Sequence, residues 1–181
     1  MKWSEAKPDI TIKKYSDILR EMPLDIGLEI ISKPHEELIL CETQCWADMI
    51  SHITPHRVEM GGLLIGSTYH SEINGSFITK CNRAIPAKNH DSSPVSLRMG
   101  ADVWADANAQ LAEKELVVGW YHSHPNLGAF FSGTDRYNQK ANFNSFFHVG
   151  VVIDPVRDEK AAFTGQDSTE VRSDCFIVGN F

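Results

Sequence analysis

GWYHSHPNLGAFFSGTD, residues 119–135, is the segment from which the rest of the chain can be read. It continues LVVGWYH (116–122), a β-rich apolar run that predicts an interior strand. Strand alternation puts His122 and His124 on one face, with Cα atoms about 6.5 Å apart, and Ser123 on the other. Two imidazoles at that separation converge on one ion at zinc–nitrogen distances of about 2.0–2.1 Å. Asp135 follows after a loop whose Pro125 and Gly128 let the chain fold back. Two neutral imidazoles and one carboxylate leave a zinc ion net positive with a fourth position for water, as in catalytic rather than closed structural sites. Two blander readings stand beside this one. A histidine pair on a strand also serves purely structural roles. Ser132 and Asp135 also fit the N-cap and N3 positions of a capping box ahead of RYNQKANF, which asks the Asp135 carboxylate to serve two purposes.

Outward from this segment, the chain alternates strand-like and helix-like stretches. DIGLEIIS (25–32), with partly alternating apolar residues, is expected to be a strand, and ELILC (37–41) a second. In ETQCWADMISHIT, Cys45, Trp46, Met49, Ile50 and Ile53 make one helical stripe that Pro55 ends. His52 and His56 lie four apart around that end, but no glutamate separates them as in a zincin, so they are read as solvated helix-end histidines. GGLLIGSTY and SFITKCNRAIP flank Asn74-Gly75, a strong hairpin signal. RMGADVWADANAQLAEKE has helix-forming composition, as does DRYNQKANFNS in pattern, and FFHVGVVIDP is a further apolar strand stopped by Pro155. AAFTGQD and CFIVGNF are expected at sheet edges. The alternation predicts an α/β domain around a central sheet, with residues 1–25 as an N-terminal extension and 26–181 as one domain.

The chain has 181 residues, enough to bury a core without disulfides. Its formal net charge is −7, with no Lys/Arg cluster suited to a phosphate backbone, so nucleic acid is excluded as a partner. No apolar run approaches the roughly 20 residues of a membrane span, and the N-terminus has no apolar signal core. Cys41, Cys45, Cys81 and Cys175 match no zinc-ribbon spacing and are read as reduced thiols of a cytoplasmic protein.

The segment closely resembles the signature of the JAMM (MPN+, Mov34/JAB1-type) zinc metallopeptidases. That signature runs His-Ser/Thr-His-Pro, six residues, Ser, two residues, Asp, which here is His122, Ser123, His124, Pro125, Ser132 and Asp135. The family's upstream glutamate opens a Glu-x-Gly-Gly-Leu-Leu-x-Gly stretch, which VEMGGLLIG matches with Glu59. FFHVGVVIDP resembles the family's V-V-x-D-P strand. The resemblance covers about residues 37–165 and is nearest to the proteasome-lid deubiquitinase and signalosome isopeptidase branch. The loop departs from that branch: NLGAFF stands where those relatives carry a Gly-aromatic-Gly-Cys-aromatic run.

This resemblance implies a central mixed sheet flanked by helices, the MPN/JAB (cytidine-deaminase-like) architecture. It implies one catalytic Zn²⁺ held by His122, His124 and Asp135. It also implies Glu59 as general base and acid on the attacking water, and Ser132 as a hydrogen-bond donor to the tetrahedral oxyanion. The implied activity is that of a zinc isopeptidase or peptidase cutting after the C-terminal tail of ubiquitin or a ubiquitin-like protein. Such a tail binds extended, and NHDSSPVSLRMG (89–100) is the expected strand beside it. The uninterrupted domain resembles stand-alone prokaryotic JAB peptidases that travel with ubiquitin-like, activating-enzyme-like and conjugating-enzyme-like proteins. Processing of a ubiquitin-fold sulfur carrier and a non-catalytic MPN scaffold are the competing readings. Ser123 is expected to be structural, and Trp120, Tyr121, Phe130 and Phe131 are expected to be mostly core, with any one of them left exposed lining a substrate groove.

Overall fold

A computed structural model describes residues 12–32, 37–71, 75–88, 90–93 and 96–181. The chain order is β1 (Lys13–Lys14), α1 (Tyr15–Glu21), α2 (Leu24–Ser32), β2 (Leu38–Glu42), α3 (Thr43–Ile53), β3 (Gly61–His70), β4 (Phe77–Pro86), β5 (His90–Ser93) and β6 (Ser96–Met99). It continues with α4 (Ala101–Gln110), β7 (Leu116–Ser123), α5 (Gly133–Asn142), β8 (Val149–Asp154), β9 (Glu159–Thr164), β10 (Thr169–Glu170) and β11 (Phe176–Gly179). The main sheet runs β10-β9-β8-β7-β3-β4-β2-β11, with β1 pairing β3. It is mixed: β7 is parallel to β8 but antiparallel to β3, while β2 is parallel to both β4 and β11.

The period of two along the strands sorts side chains onto two faces. Leu64, Tyr121, Val151 and Ile153 pack against α3, which buries Cys45, Met49 and Ile53 along the stripe read from its sequence. Leu63, Trp120 and Val152 point the other way, toward Val103 and Ala107 of α4 and Phe143 at the end of α5. Each fully buried aliphatic contributes roughly 1.5–3 kcal/mol relative to exposure, so the sheet is held from both sides. His122 shares the face of Trp120, toward α5.

The expected strand at 25–32 is instead the helix α2. Its apolar residues fit both periods, and packing chose the helical one: Ile30 is buried and Ile26 packs with it against Ile18, Leu38, Leu40 and Tyr69. Pro23 starts the helix, its carbonyl accepting from Gly27 N at 2.9 Å. The β3–β4 hairpin forms; Gly75 adopts φ +74°, the left-handed conformation glycine tolerates, whereas Asn74 lies outside the described residues. The stretch 98–115 is helical only over α4, because residues 96–99 join β5 in a separate two-stranded ribbon. All four cysteines are buried and unpaired in disulfides. No helix among the described residues is long and apolar enough to cross a membrane.

Candidate metal centre

The site is assembled where β3 begins and β7 ends. These strands are antiparallel, with Gly61 opposite His122 and Gly62 opposite Tyr121. The register continues past the ladder: Ser123 N donates to Met60 O at 2.8 Å, and Met60 N donates to Ser123 Oγ at 3.0 Å. Residue 59 therefore falls opposite residue 124, and Glu59 Oε1 lies 3.6 Å from His124 Nε2. Ser123 clamps the backbone that carries Glu59, which is the structural role expected of it.

From the C-terminal end of β7 the chain loops out and returns at the start of α5. Asp135, at N3 of that helix, brings Oδ1 to 3.2 Å from His122 Nε2 and Oδ2 to 3.5 Å from His124 Nε2. The two histidine Nε2 atoms are 3.1 Å apart. The capping box is formed as well: Asp135 N donates to Ser132 Oγ at 3.3 Å, and Ser132 N donates to Asp135 Oδ2 at 2.7 Å. The carboxylate thus serves both purposes at once: Oδ1 faces His122, while Oδ2 faces His124 and also accepts from the helix cap. Ser132 Oγ accepts from the backbone, and the residue is partly exposed.

His122, His124 and Asp135 form a buried group that could hold a metal ion, their ligand atoms lying within 4.8 Å of one another. A tetrahedral ion with ligands at 2.0–2.1 Å has edges of about 3.3 Å. The 3.1 Å between the two Nε2 atoms and the 3.2 Å from His122 Nε2 to Asp135 Oδ1 fit that figure, while His124 Nε2 faces the other oxygen, Oδ2, at 3.5 Å. The chemistry fits too, since both rings turn Nε2 inward and leave Nδ1 for the proton. Burial holds His122 below the ordinary imidazole range, against the opposing pull of Asp135, which keeps the ring neutral as a ligand must be. At His124 burial acts the same way but is outweighed by the hydrogen bond and charge of Asp135. The Asp135 carboxyl is buried, yet hydrogen bonds from His122 and His124 hold it far below the carboxylate range. Glu59 is pushed the other way, to about 7, by burial first; the His124 charge opposes this and Asp135 adds to it. Two acids in one cleft, one firmly ionised and one poised near neutrality, are a pattern of acid–base sites.

The model of prokaryotic homologs of the JAB domain matches residues 43–165. The chain belongs to the prokaryotic JAB family. The chain is 42% identical over 57 residues to the ubiquitin carboxyl-terminal hydrolase RPN11 of Saccharomyces cerevisiae, a match covering 30% of this chain and 18% of that protein. It is 34% identical over 100 residues to the NAD(+) hydrolase TcpA of a Theionarchaea archaeon, covering 54% of this chain and 28% of that one. The matches therefore span less than a third of these curated relatives. A protein of Desulfitobacterium hafniense solved in solution shares the fold with a TM-score of 0.60 at 21% identity, over 80% of this chain and 94% of its own.

Other candidates from the sequence fall into place around this JAB-domain site. Trp120, Tyr121 and Phe131 are buried, whereas Phe130 is 48% exposed and meets the His124 ring edge-on with centroids 5.1 Å apart. The His52 and His56 rings stand 6.3 Å apart, and no third ligand among the described residues joins them. His52 is not merely solvated, because its Nδ1 lies 2.9 Å from the Tyr121 hydroxyl. Asp154, the acid of the VVIDP strand end, closes the site's loop. Its fully buried carboxylate accepts from the backbone N–H of Asn126 (2.9 Å), Gly128 (2.7 Å), Val156 (2.9 Å) and Arg157 (3.2 Å). Burial would raise its pKa, but these donors lower it. An acid ending an otherwise apolar strand was the available signal.

Proposed function

We propose that this chain is a zinc-dependent isopeptidase or peptidase acting on the bond after the C-terminal tail of a ubiquitin-like protein. The observation that carries this reading is the convergence of two imidazole nitrogens and the Asp135 carboxylate at 3.1–3.5 Å, with the buried Glu59 carboxylate beside them. His122, His124 and Asp135 would hold the ion. A zinc ion there supplies a Lewis acid that acidifies water and polarises the scissile carbonyl. Glu59 takes the proton of the attacking water on a carboxylate oxygen and returns one to the leaving amine. Burial raises the Glu59 carboxyl to about 7 in the metal-free protein, and a bound dication beside it would favour the carboxylate form that accepts the proton. Ser132 donates its hydroxyl proton to the oxyanion that develops on the carbonyl oxygen, a contribution of about 10²–10³ in rate.

The β5–β6 ribbon supports an extended substrate, since each of its strands has one edge unpaired among the described residues. The similarity to a ubiquitin carboxyl-terminal hydrolase favours a ubiquitin-like tail over a general peptide. The test has two stages. Purified protein reconstituted with zinc should hold one ion, and the His122→Ala, His124→Ala double variant none. The holo-protein is then incubated with ubiquitin-fold proteins carrying either an isopeptide-linked lysine or a linear extension. Cleavage of the first identifies an isopeptidase; cleavage of the second alone identifies a precursor-processing peptidase. A wild type that binds no zinc leaves a non-catalytic scaffold.

A further inference from the structure

Metal-bound histidines ordinarily donate their second ring N–H to a carboxylate, carbonyl or water that sets the ring plane. Within the described residues of the protein, His122 has no carboxylate or carbonyl in that place. Its Nδ1 is buried and has no hydrogen-bond partner among the described residues. What the ring does have is a flat neighbour. The Trp120 indole stacks on it with centroids 4.5 Å apart and planes 6° from parallel.

The stack extends away from the site. Phe143 lies 5.7 Å from Trp120 at 15°, and Trp104 of α4 lies 5.6 Å from Phe143 at 20°. The indole is also pinned within its plane. Trp120 Nε1 donates to Gln139 Oε1 at 2.6 Å, and Gln139, fully buried on α5, donates in turn to the backbone carbonyls of Phe143, His148 and Gly165. Room for that bond is kept by Gly150, where a Cβ would stand 3.0 Å from both Trp120 Nε1 and Gln139 Oε1 and 2.4 Å from Phe131 Cζ. An imidazole bound to a dication also carries positive charge, which the face of an indole attracts more strongly than any other side-chain ring.

We propose that Trp120 is a positioning residue of the metal centre: the indole, anchored by Gln139, sets the plane of the His122 imidazole through face-to-face stacking. The inference rests on the metal reading above, and it concerns a residue that touches neither substrate nor ion. Offset stacking of aromatic rings is directional, so it constrains the ring plane where an aliphatic side chain only fills volume.

The full chain is compared as wild type, Trp120→Phe and Trp120→Leu. Zinc affinity is read by chelator competition, tryptophan emission during Co²⁺ titration, and the thermal midpoint of each metal-free protein. Trp120→Phe keeps a flat ring and is expected to bind zinc within about threefold of wild type. Trp120→Leu is expected to bind about 10–100-fold more weakly, the range for losing an outer-shell orienting group. Co²⁺ should quench wild-type emission, and most of that quenching should be missing from Trp120→Phe. A Trp120→Leu protein with a lowered midpoint but wild-type zinc affinity overturns the proposal, since Trp120 would then only fill the core. Should Trp120→Leu not fold, the emission comparison decides, and equal quenching in wild type and Trp120→Phe overturns it. A wild type that binds neither metal overturns the metal reading itself, an outcome distinct from a wild type and a leucine variant that bind equally well.

Discussion

The carboxylate of Asp135 caps α5 and faces both imidazoles, and single substitutions separate the capping from the proposed metal binding. In Asp135→Asn the amide oxygen can replace Oδ2, which accepts from Ser132 N at 2.7 Å, so the cap of α5 is largely kept. The anionic oxygen 3.2 Å from His122 Nε2 is lost. Removing an outer-shell partner weakens metal binding about 10–100-fold, and removing a charged ligand should exceed the upper end of that range. Ser132→Ala does the reverse. It deletes the Oγ that accepts from Asp135 N and leaves the carboxylate in place. An N-cap serine is worth about 1 kcal/mol, and for a chain of this length each kcal/mol moves the midpoint by about 2–4 °C. The assay pairs chelator-competition zinc titration with thermal unfolding of the metal-free proteins. Asp135→Asn should melt near wild type and bind zinc at least about a hundredfold more weakly, whereas Ser132→Ala should melt about 2–4 °C lower and bind zinc near wild-type affinity. If Asp135→Asn stays within tenfold of wild-type affinity, Asp135 is not a ligand and its proposed double role is refuted.

Glu59→Gln should retain a full zinc equivalent and lose about 10²–10⁴ in turnover, measured on whichever ubiquitin-fold substrate the wild type cleaves; near-wild-type turnover would remove Glu59 from its role. His148 is a second, purely structural titration. Burial lowers its pKa to about 4, and its Nδ1 accepts from Ser145 N at 3.2 Å, so the folded ring is neutral. Its contribution is therefore complete above the unfolded value of about 6.5 and is lost as pH falls through the window down to about 4. The loss is at most about 3 kcal/mol, less after solvent screening at its half-buried edge. Metal-free urea unfolding at several pH values should show a shallower acid slope for His148→Phe than for wild type; equal slopes would contradict this. Gly62→Ala should lower the thermal midpoint through about 1–3 kcal/mol of strain, because its Cβ would stand 2.1 Å from Ile85 O. Gly133→Ala, with nothing within 4 Å of the added carbon, should not.

Much of this molecule was legible in the chain because its signals are local. The His122/His124 pair, the β3–β4 hairpin and the stripe of α3 each depend on a period of two or four that a few residues display. The family signature supplied Glu59, which no local pattern ties to His124. Other features needed the tertiary structure. Residues 25–32 satisfy both periods, and only Ile26 and Ile30 meeting the Ile18–Tyr69 cluster selects the helix. That one carboxylate can cap α5 and face two imidazoles follows from where its two oxygens point, which spacing does not encode.

Taken alone, the sequence determined which groups are available for chemistry and, through strand alternation, that two imidazoles share a face. The fold decided how they act. The β3–β7 register places residue 59 against residue 124, burial pushes Glu59 to about 7 while Asp135 stays ionised, and the Trp104–Phe143–Trp120 column meets the His122 ring. The physical reason is range: dihedral and side-chain periodicity act over a few residues, whereas desolvation, charge coupling and ring stacking depend on distances that only long-range packing sets.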